Sequence, residues 1–256
     1  MQNHNGTYYH KDTKIEIINP QGKLIQSFIA VKAKVKKDSL SEDEEDERKL
    51  PPPVLKAGLN KFEWDLRYPA ATSFKGMILW SASATRGPLA PPGMYKVNLI
   101  TAGKTLTQSF EIKMDPRVKG VSLADVEERF KLAMLIRDQT SKANEAVIKI
   151  REIKDTITKA GTADQNKIIL TQLSNIEENL YQVKNQSSQD PLNFPIKLNN
   201  RLAALGRSIE TGESKPTDGA YKVYKELVGD LTKQLMDLEK LLTNKTIQEY
   251  VKPVKK

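Results

Sequence analysis

The feature that most constrains this fold is a change of apolar period at Met114–Pro116. Before it, apolar residues alternate with polar ones in short runs separated by Pro and Gly; after it, they recur every three or four residues. Alternation is typical of half-buried strands, and a period near 3.6 is typical of amphipathic helices. The sequence therefore predicts an α+β protein of two domains, a β domain over residues 1–116 and a helical domain over 117–256.

Two β-hairpins are predicted in the first domain. Lys14–Ile18 and Lys23–Ile29 are strand-like runs on either side of a short Pro/Gly turn, and residues 94–100 and 105–113 alternate around Ala102-Gly103. β-Branched residues beside such turns favour antiparallel pairing with one face buried.

A further strand is predicted after Gly58. Phe62, Trp64 and Leu66 occupy alternate positions and would share one face of it. Several short strands at this spacing are typical of an immunoglobulin-like or fibronectin-like antiparallel β-sandwich, and this is the architecture we predict for residues 1–116.

A charged segment interrupts the β pattern at about residues 32–56. Lysines precede a run of acids at Glu42–Glu47 and three prolines at Pro51–Pro53, with no apolar period to pack. We predict a flexible surface loop. The acidic run lacks the alternating ligands and the turn glycine of a calcium-binding loop, so no calcium site is predicted.

Four main helices are predicted in the second domain. The first runs over about 123–159, after a capping pattern at Ser122; apolar residues at 3-4 spacing mark the others, over 169–183, 198–209 and 224–242, and the last helix is entered near Pro216-Thr217. Breaks at Gly161, in the Ser187-to-Pro195 loop and at Gly212 allow these helices to fold back on one another. We therefore predict an antiparallel four-helix bundle rather than an intermolecular coiled coil.

The amino-acid composition argues against several kinds of functional site. The chain has no cysteine and its only histidines are His4 and His10, which we expect to be exposed near the N-terminus, so no metal site, cofactor or His-based catalytic triad is predicted. The net charge of +9 is divided evenly, +4 in residues 1–116 and +5 in 117–256, which argues against a nucleic-acid-binding patch. The sequence shows neither a membrane-spanning run nor a signal peptide, so we expect either a cytosolic protein or a fragment of a longer one.

Several motifs together resemble one family: the C-terminal region of large bacterial proteins with sortilin-like or neuraminidase-type (Asp-box) β-propellers, often called glycosyl hydrolases. The motifs are Phe62–Pro69, Gly76–Trp80, Arg86–Tyr95, Met114–Arg117, Ile136–Asp138, Ala143–Ala146 and Phe194–Asn200. The resemblance covers most of the chain from Gly58 to about Leu242. The pieces around Trp64-Asp65 and Pro92–Tyr95 are also similar to the immunoglobulin-like module of flagellar hook-capping proteins.

The resemblance implies an exported protein, periplasmic or extracellular, in which this chain is an accessory region. The propeller would precede it, and the Asp-box pattern occurs nowhere in these residues, so no propeller residue can be assigned here. We therefore expect a non-catalytic interaction or structural role, packing on or presenting a neighbouring β-propeller domain. No nucleic acid and no membrane insertion are expected.

The alternative function is that of a carbohydrate-binding module. Aromatic rings stack on sugars, and five aromatic residues fall between Trp64 and Tyr95. Trp64 and Tyr95 are expected to fill the sandwich core, which leaves Phe74 and Trp80 as the candidate ligand-stacking residues. For an enzyme, Glu63 and Asp65 are the nearest carboxylates, but alternation places both opposite Trp64, and no catalysis by this chain is expected.

Overall fold

The computed structural model describes residues 13–32, 52–56, 58–82 and 86–250. Its elements are β1 (Lys14–Ile18), β2 (Leu24–Ile29), β3 (Val31–Lys32), β4 (Val54–Leu55), β5 (Gly93–Thr101), β6 (Lys104–Ile112), α1 (Leu123–Lys159), α2 (Lys167–Leu180), a 3-10 turn (Asp190–Leu192), α3 (Leu198–Ile209), α4 (Asp218–Leu242) and α5 (Lys245–Gln248). A mixed architecture is confirmed, with a four-stranded antiparallel sheet and four main helices in the described part. None of the helices described is long and apolar enough to cross a membrane.

The chain divides into two compact units. One contains Met1–Pro69 and Pro88–Leu123, and the other contains Ala70–Gly87 and Ala124–Lys256. We call them the sheet unit and the helical unit. This division differs from the predicted boundary at residue 116, because Ala70–Gly87 belongs with the helices. The contacts of that segment explain the difference and are described below.

The sheet has the strand order β2-β1-β5-β6, with every neighbouring pair antiparallel. Both predicted hairpins are confirmed. A cluster of buried side chains covers one face of the sheet and is centred on Tyr95, which is fully buried. At the two ends of the predicted charged loop, β3 pairs in parallel with β4. Residues 33–51 of that loop lie outside the described part, and so do His4 and His10.

The strand predicted around Phe62–Leu66 is wrong: these residues have no strand conformation. Leu66 adopts a φ of 59°, which interrupts an extended chain, and the Asp65 carboxylate accepts a hydrogen bond from the backbone N–H of Arg67 (3.1 Å). Phe62 and Trp64 nevertheless pack on the cluster of the sheet. Alternation here records burial against the sheet and not pairing with another strand.

The first residue of the turn between β5 and β6 is not the type that its backbone conformation favours. Ala102 and Gly103 both adopt positive φ angles, 50° and 71°, which is the arrangement of a type I′ turn that favours Asn-Gly. We predict that Ala102→Asn raises the free energy of unfolding of the sheet unit by about 0.5 to 1 kcal/mol. Urea denaturation would measure the gain. Ala102→Val is the control, since a β-branched residue in this conformation should lower stability, and an unchanged midpoint for both variants would contradict the argument.

Alkaline pH should weaken the sheet unit. Burial raises the pKa of Tyr95, and the neighbouring Tyr68 phenol adds to the effect; the Tyr95 hydroxyl also donates to the carbonyl of Pro91 (2.7 Å). Because the folded pKa lies above the value of about 10 in an unfolded chain, this stabilisation is complete below pH 10 and is lost as pH rises further. We expect the free energy of unfolding to fall by up to about 1.4 kcal/mol per pH unit for each such tyrosine.

The measurement is urea unfolding at pH 9 and pH 11, followed through Trp64, which lies in the sheet unit. Incorporated 5-fluorotryptophan gives Trp64 and Trp80 separate resonances, one for each unit. Tyr95→Phe should have a smaller decline between the two pH values than the wild-type chain. An equal decline in both would show that Tyr95 does not control it.

The helices follow the predicted pattern closely. α1 runs over the predicted residues, and α4 begins at the predicted entry, where the Thr217 hydroxyl accepts a hydrogen bond from the backbone N–H of Ala220 (3.2 Å). Apolar residues from α1 to α5 form one buried cluster, with Ile150, Leu202 and Leu231 almost fully shielded. α2 ends at Leu180, three residues before the predicted end, and Tyr181 adopts an extended conformation.

Candidate functional site

The most developed polar site lies inside the helical unit. Residues 70–82, which we call the strap, have no strand or helix conformation, yet side chains of the helices bind their backbone. Apart from one turn, in which the N–H of Met77 donates to the C=O of Phe74 (3.1 Å), a segment outside helices and sheets must find other partners for its N–H and C=O groups. The strap finds them on α1, on α3 and at the end of α2.

At the first end of the strap, Thr72 contacts three residues of α1. Its N–H donates to the Ser141 hydroxyl (3.1 Å), its C=O accepts from the Asn144 amide (2.7 Å), and its hydroxyl donates to Glu145 (2.8 Å). Ser141, Asn144 and Glu145 stand three and four residues apart and so share one face of the helix. That face is matched to a single residue of the strap.

In the middle of the strap, Tyr181 provides the contact. Its hydroxyl accepts from the N–H of Ile78 (3.1 Å) and donates to the C=O of Gly76 (3.3 Å). The early end of α2 makes this possible, because an extended Tyr181 turns away from the helix axis. Tyr181 itself is 3% exposed.

At the last end, Asn200 of α3 binds the strap in both directions. Its side-chain oxygen accepts from the N–H of Trp80 (2.6 Å) and its NH₂ group donates to the C=O of the same residue (2.9 Å). This pair imitates the two hydrogen bonds that neighbouring strands exchange. Two turns of helix further on, Arg207 donates to the C=O of Ser81 (2.8 Å).

The side chain of Phe74 occupies an aromatic and cationic pocket. Its ring lies edge to face with Tyr181, with ring centroids 5.0 Å apart, and the Arg151 guanidinium carbon lies 4.7 Å from the Phe74 centroid. Glu177, almost fully buried, accepts from Arg151 (2.6 Å) and from Lys154 (3.0 Å). The carboxylate fixes the guanidinium over the ring, where a cation is attracted by the π face.

Two buried amides lie behind the strap. Asn144 and Asn199 are both fully shielded, and the Asn199 NH₂ group donates to the Asn144 oxygen (3.0 Å). The Asn199 oxygen has no partner among the described residues. Amides buried in this way fix one arrangement of their neighbours, because any other leaves polar groups unpaired.

The two residues predicted to stack on a ligand lie in different surroundings. Phe74 is partly buried and packs against the core cluster of the helices. The Trp80 side chain is 40% exposed, on a backbone held by Asn200. The structure therefore directs the first ring inward and leaves the second accessible.

Sequence reasoning gave no role to Asn144, Asn199, Asn200 or Tyr181, although the three asparagines lie in motifs of the family resemblance. A weak signal is present: asparagine is a poor helix former, and these asparagines fall in phase with the apolar residues of α1 and α3. A polar residue at a core position of a helix indicates a buried partner. The sequence does not say that the partner is a segment more than 60 residues away.

The carboxylates considered for catalysis are surface groups. Glu63 is exposed, and Lys61 beside it lowers its pKa. Asp65 accepts the backbone bond from Arg67 described above. Within the described residues no group of three or more His, Asp or Glu side chains is placed to hold a metal ion.

Comparison with known proteins gives no match of any kind. No family model matches the chain, and neither a curated protein nor a solved structure does. The resemblance to β-propeller-associated regions therefore stays a prediction from the sequence motifs.

Proposed function

We propose that this chain is a non-catalytic accessory region that packs on, or presents, a neighbouring β-propeller domain of an exported bacterial protein. In this proposal the sheet unit is an immunoglobulin-like sandwich domain and the helical unit an antiparallel four-helix bundle. The sequence motifs suggest the kind of partner. The surface of the sheet supports the idea that a partner is needed.

The observation that carries the proposal is a row of apolar side chains across the sheet. Phe28, Ile15, Leu99 and Leu106 lie side by side on β2, β1, β5 and β6. Exposure rises along the row, from 5% at Phe28 to 38% at Leu99 and 62% at Leu106. The buried face of the sheet thus continues to the β6 edge as open apolar surface, which is typical of a site that another protein covers.

The test compares the propeller domain with and without this chain. We expect the two to associate and the propeller to unfold at a higher temperature in the complex. Leu106→Thr should weaken the association, whereas Leu192→Thr, which changes an equally exposed leucine of the helical unit (65%), should not. If the two never associate and the stability of the propeller is the same with and without the chain, the proposal is wrong.

A second candidate function, carbohydrate binding, is supported by Trp80 alone. Its ring is exposed and its backbone is fixed at both N–H and C=O by Asn200, so the ring would bind without first being ordered. Titration with a panel of oligosaccharides should change the tryptophan fluorescence of the wild-type chain but not that of Trp80→Ala. Absence of any change in the wild-type chain would exclude this function.

A further inference from the structure

We propose that the helical unit contains a binding site for an irregular peptide segment and that the strap is its resident ligand. The ligand class is a segment with the spacing of Thr72, Phe74 and Met77, that is, Thr-x-Phe-x-x-Met, which makes the turn of the strap, where the N–H of Met77 donates to the C=O of Phe74 (3.1 Å). This inference goes beyond the accessory role and does not depend on a β-propeller. It rests on how the helices contact the strap.

The first argument is the kind of hydrogen bond. Asn144, Tyr181 and Asn200 bind backbone atoms of the strap through their side chains. A site of this kind contacts main-chain groups, so it supplies affinity for any segment that can adopt the conformation of the strap. The helices keep their own backbone hydrogen bonds whether or not the site is filled.

The second argument is selectivity. The Phe74 ring occupies the pocket of Tyr181 and Arg151, and the Thr72 hydroxyl reaches Glu145. Met77 packs on the core cluster, and its sulfur lies 4.0 Å from the Asn199 NH₂ group. These three side chains give the site a sequence preference. A segment without them leaves the Phe74 pocket empty and takes a contact away from the buried Asn199 amide.

The third argument is that the strap is a loop with paired ends. Within the sheet unit, the N–H of Tyr68 donates to the C=O of Pro88 (2.8 Å) and the N–H of Ala90 donates to the C=O of Leu66 (2.7 Å). These bonds hold the two ends of the loop together without any contribution from residues 70–82. The strap can leave its site while the sheet unit stays paired.

Covalent attachment explains why the site is filled. A tethered segment binds at an effective concentration of about 1 mM, so a peptide in solution competes poorly with it. A competing ligand is admitted when the strap is weakened or cut. Binding in trans is then reduced only by the fraction of time for which the strap still occupies the site.

The experiment cuts the strap out of the intact folded chain. Protease recognition sequences are placed between Pro69 and Ala70 and in place of residues 83–85, and the cut protein is passed over a gel-filtration column at micromolar concentration. We expect the 70–82 peptide to co-elute with the protein and to be displaced by excess labelled peptide of the same sequence. A peptide carrying Phe74→Ala should compete at least about tenfold more weakly than the native peptide.

Two results would overturn the proposal: separation of the cut strap from a protein that stays folded, or equal competition by a scrambled peptide. Should cutting cause precipitation, the uncut Phe74→Ala chain replaces it, with its helix content checked by circular dichroism. The labelled native peptide should bind this variant at least about tenfold more tightly than the wild-type chain. Equal binding to both, or none to either, contradicts a displaceable strap.

Discussion

Asn144→Ala is expected to lower the free energy of unfolding of the helical unit by about 2 to 3 kcal/mol. The Asn144 side chain is fully buried and serves two partners, since it donates to the C=O of Thr72 and accepts from the Asn199 NH₂ group. Removing it leaves a buried acceptor and a buried donor unpaired, and each unpaired group costs about 1 to 3 kcal/mol. The better helix propensity of alanine returns about 0.7 kcal/mol at most.

The loss should be seen in urea unfolding of the full chain, followed through the 5-fluorotryptophan resonance of Trp80. Trp64, in the other unit, should report an unchanged midpoint. Asn179→Ala is the matched control, because Asn179 is also a helical asparagine with a side-chain partner, Gln234 (3.2 Å), but is exposed. Equal losses for the two variants would show that burial of Asn144 does not matter.

The same change should loosen the strap before it unfolds the helices. Thr72 depends on Asn144, whereas Gly76 and Ile78 depend on Tyr181 and Trp80 on Asn200. Loss of one contact of several weakens the segment locally, and local opening requires less free energy than global unfolding. A larger increase in hydrogen exchange at the Thr72 amide than in the core of α1, each compared with the wild-type chain, would show this order.

The parts of the fold that could be predicted are those decided by neighbouring residues. The turn at Ala102-Gly103 and the helix entry near Pro216-Thr217 are local signals, and both lie where the structure has them. The capping pattern at Ser122 and the apolar period likewise placed α1 and α3 where the structure has them. For such elements the residue propensities, the capping residues and the burial pattern all indicate the same structure, so they can be predicted without knowledge of the rest of the chain.

Residues 58–82 could not be predicted in the same way. Phe62 and Trp64 alternate as a strand would, but the cover they make over the sheet requires only that their rings point the same way. The strap depends on residues far along the chain, with Thr72 bound to Asn144 and Trp80 to Asn200. No local period encodes a contact between an irregular segment and the side of a distant helix.

The sequence indicated part of the candidate site, but on grounds other than the contacts that the structure shows. Phe74 and Trp80 were selected as aromatic residues outside the strand alternation, and both belong to the strap. Among the residues that bind the backbone of the strap are two asparagines of α1 and α3 and a tyrosine just after α2. Their partners are backbone atoms, which carry no signature in a sequence, so the aromatic half of the site was visible and the polar half was not.

Glu177→Gln is expected to cost the helical unit about 2 kcal/mol, which is less than the 3 to 5 kcal/mol typical of breaking a fully buried ion pair. The Glu177 side chain is 5% exposed and accepts from Arg151 and Lys154, but those two side chains are 39% and 31% exposed. Water therefore recovers part of the lost interaction with the cations. The neutral amide also keeps one acceptor oxygen for one of them.

A double-mutant cycle with Arg151→Met isolates the contribution of the pocket. If Glu177 acts by holding the guanidinium over Phe74, the two single losses should not add, and the coupling should be about 1 to 2 kcal/mol. Asp155→Asn, on the helix that carries Arg151, is the control for loss of a carboxylate, since its pair with Lys159 has side chains 59% and 76% exposed and should show no measurable loss. Additive losses for Glu177→Gln and Arg151→Met would mean that the carboxylate stabilises the helices without positioning Arg151. The cation over Phe74 would then have to be held by the ring alone.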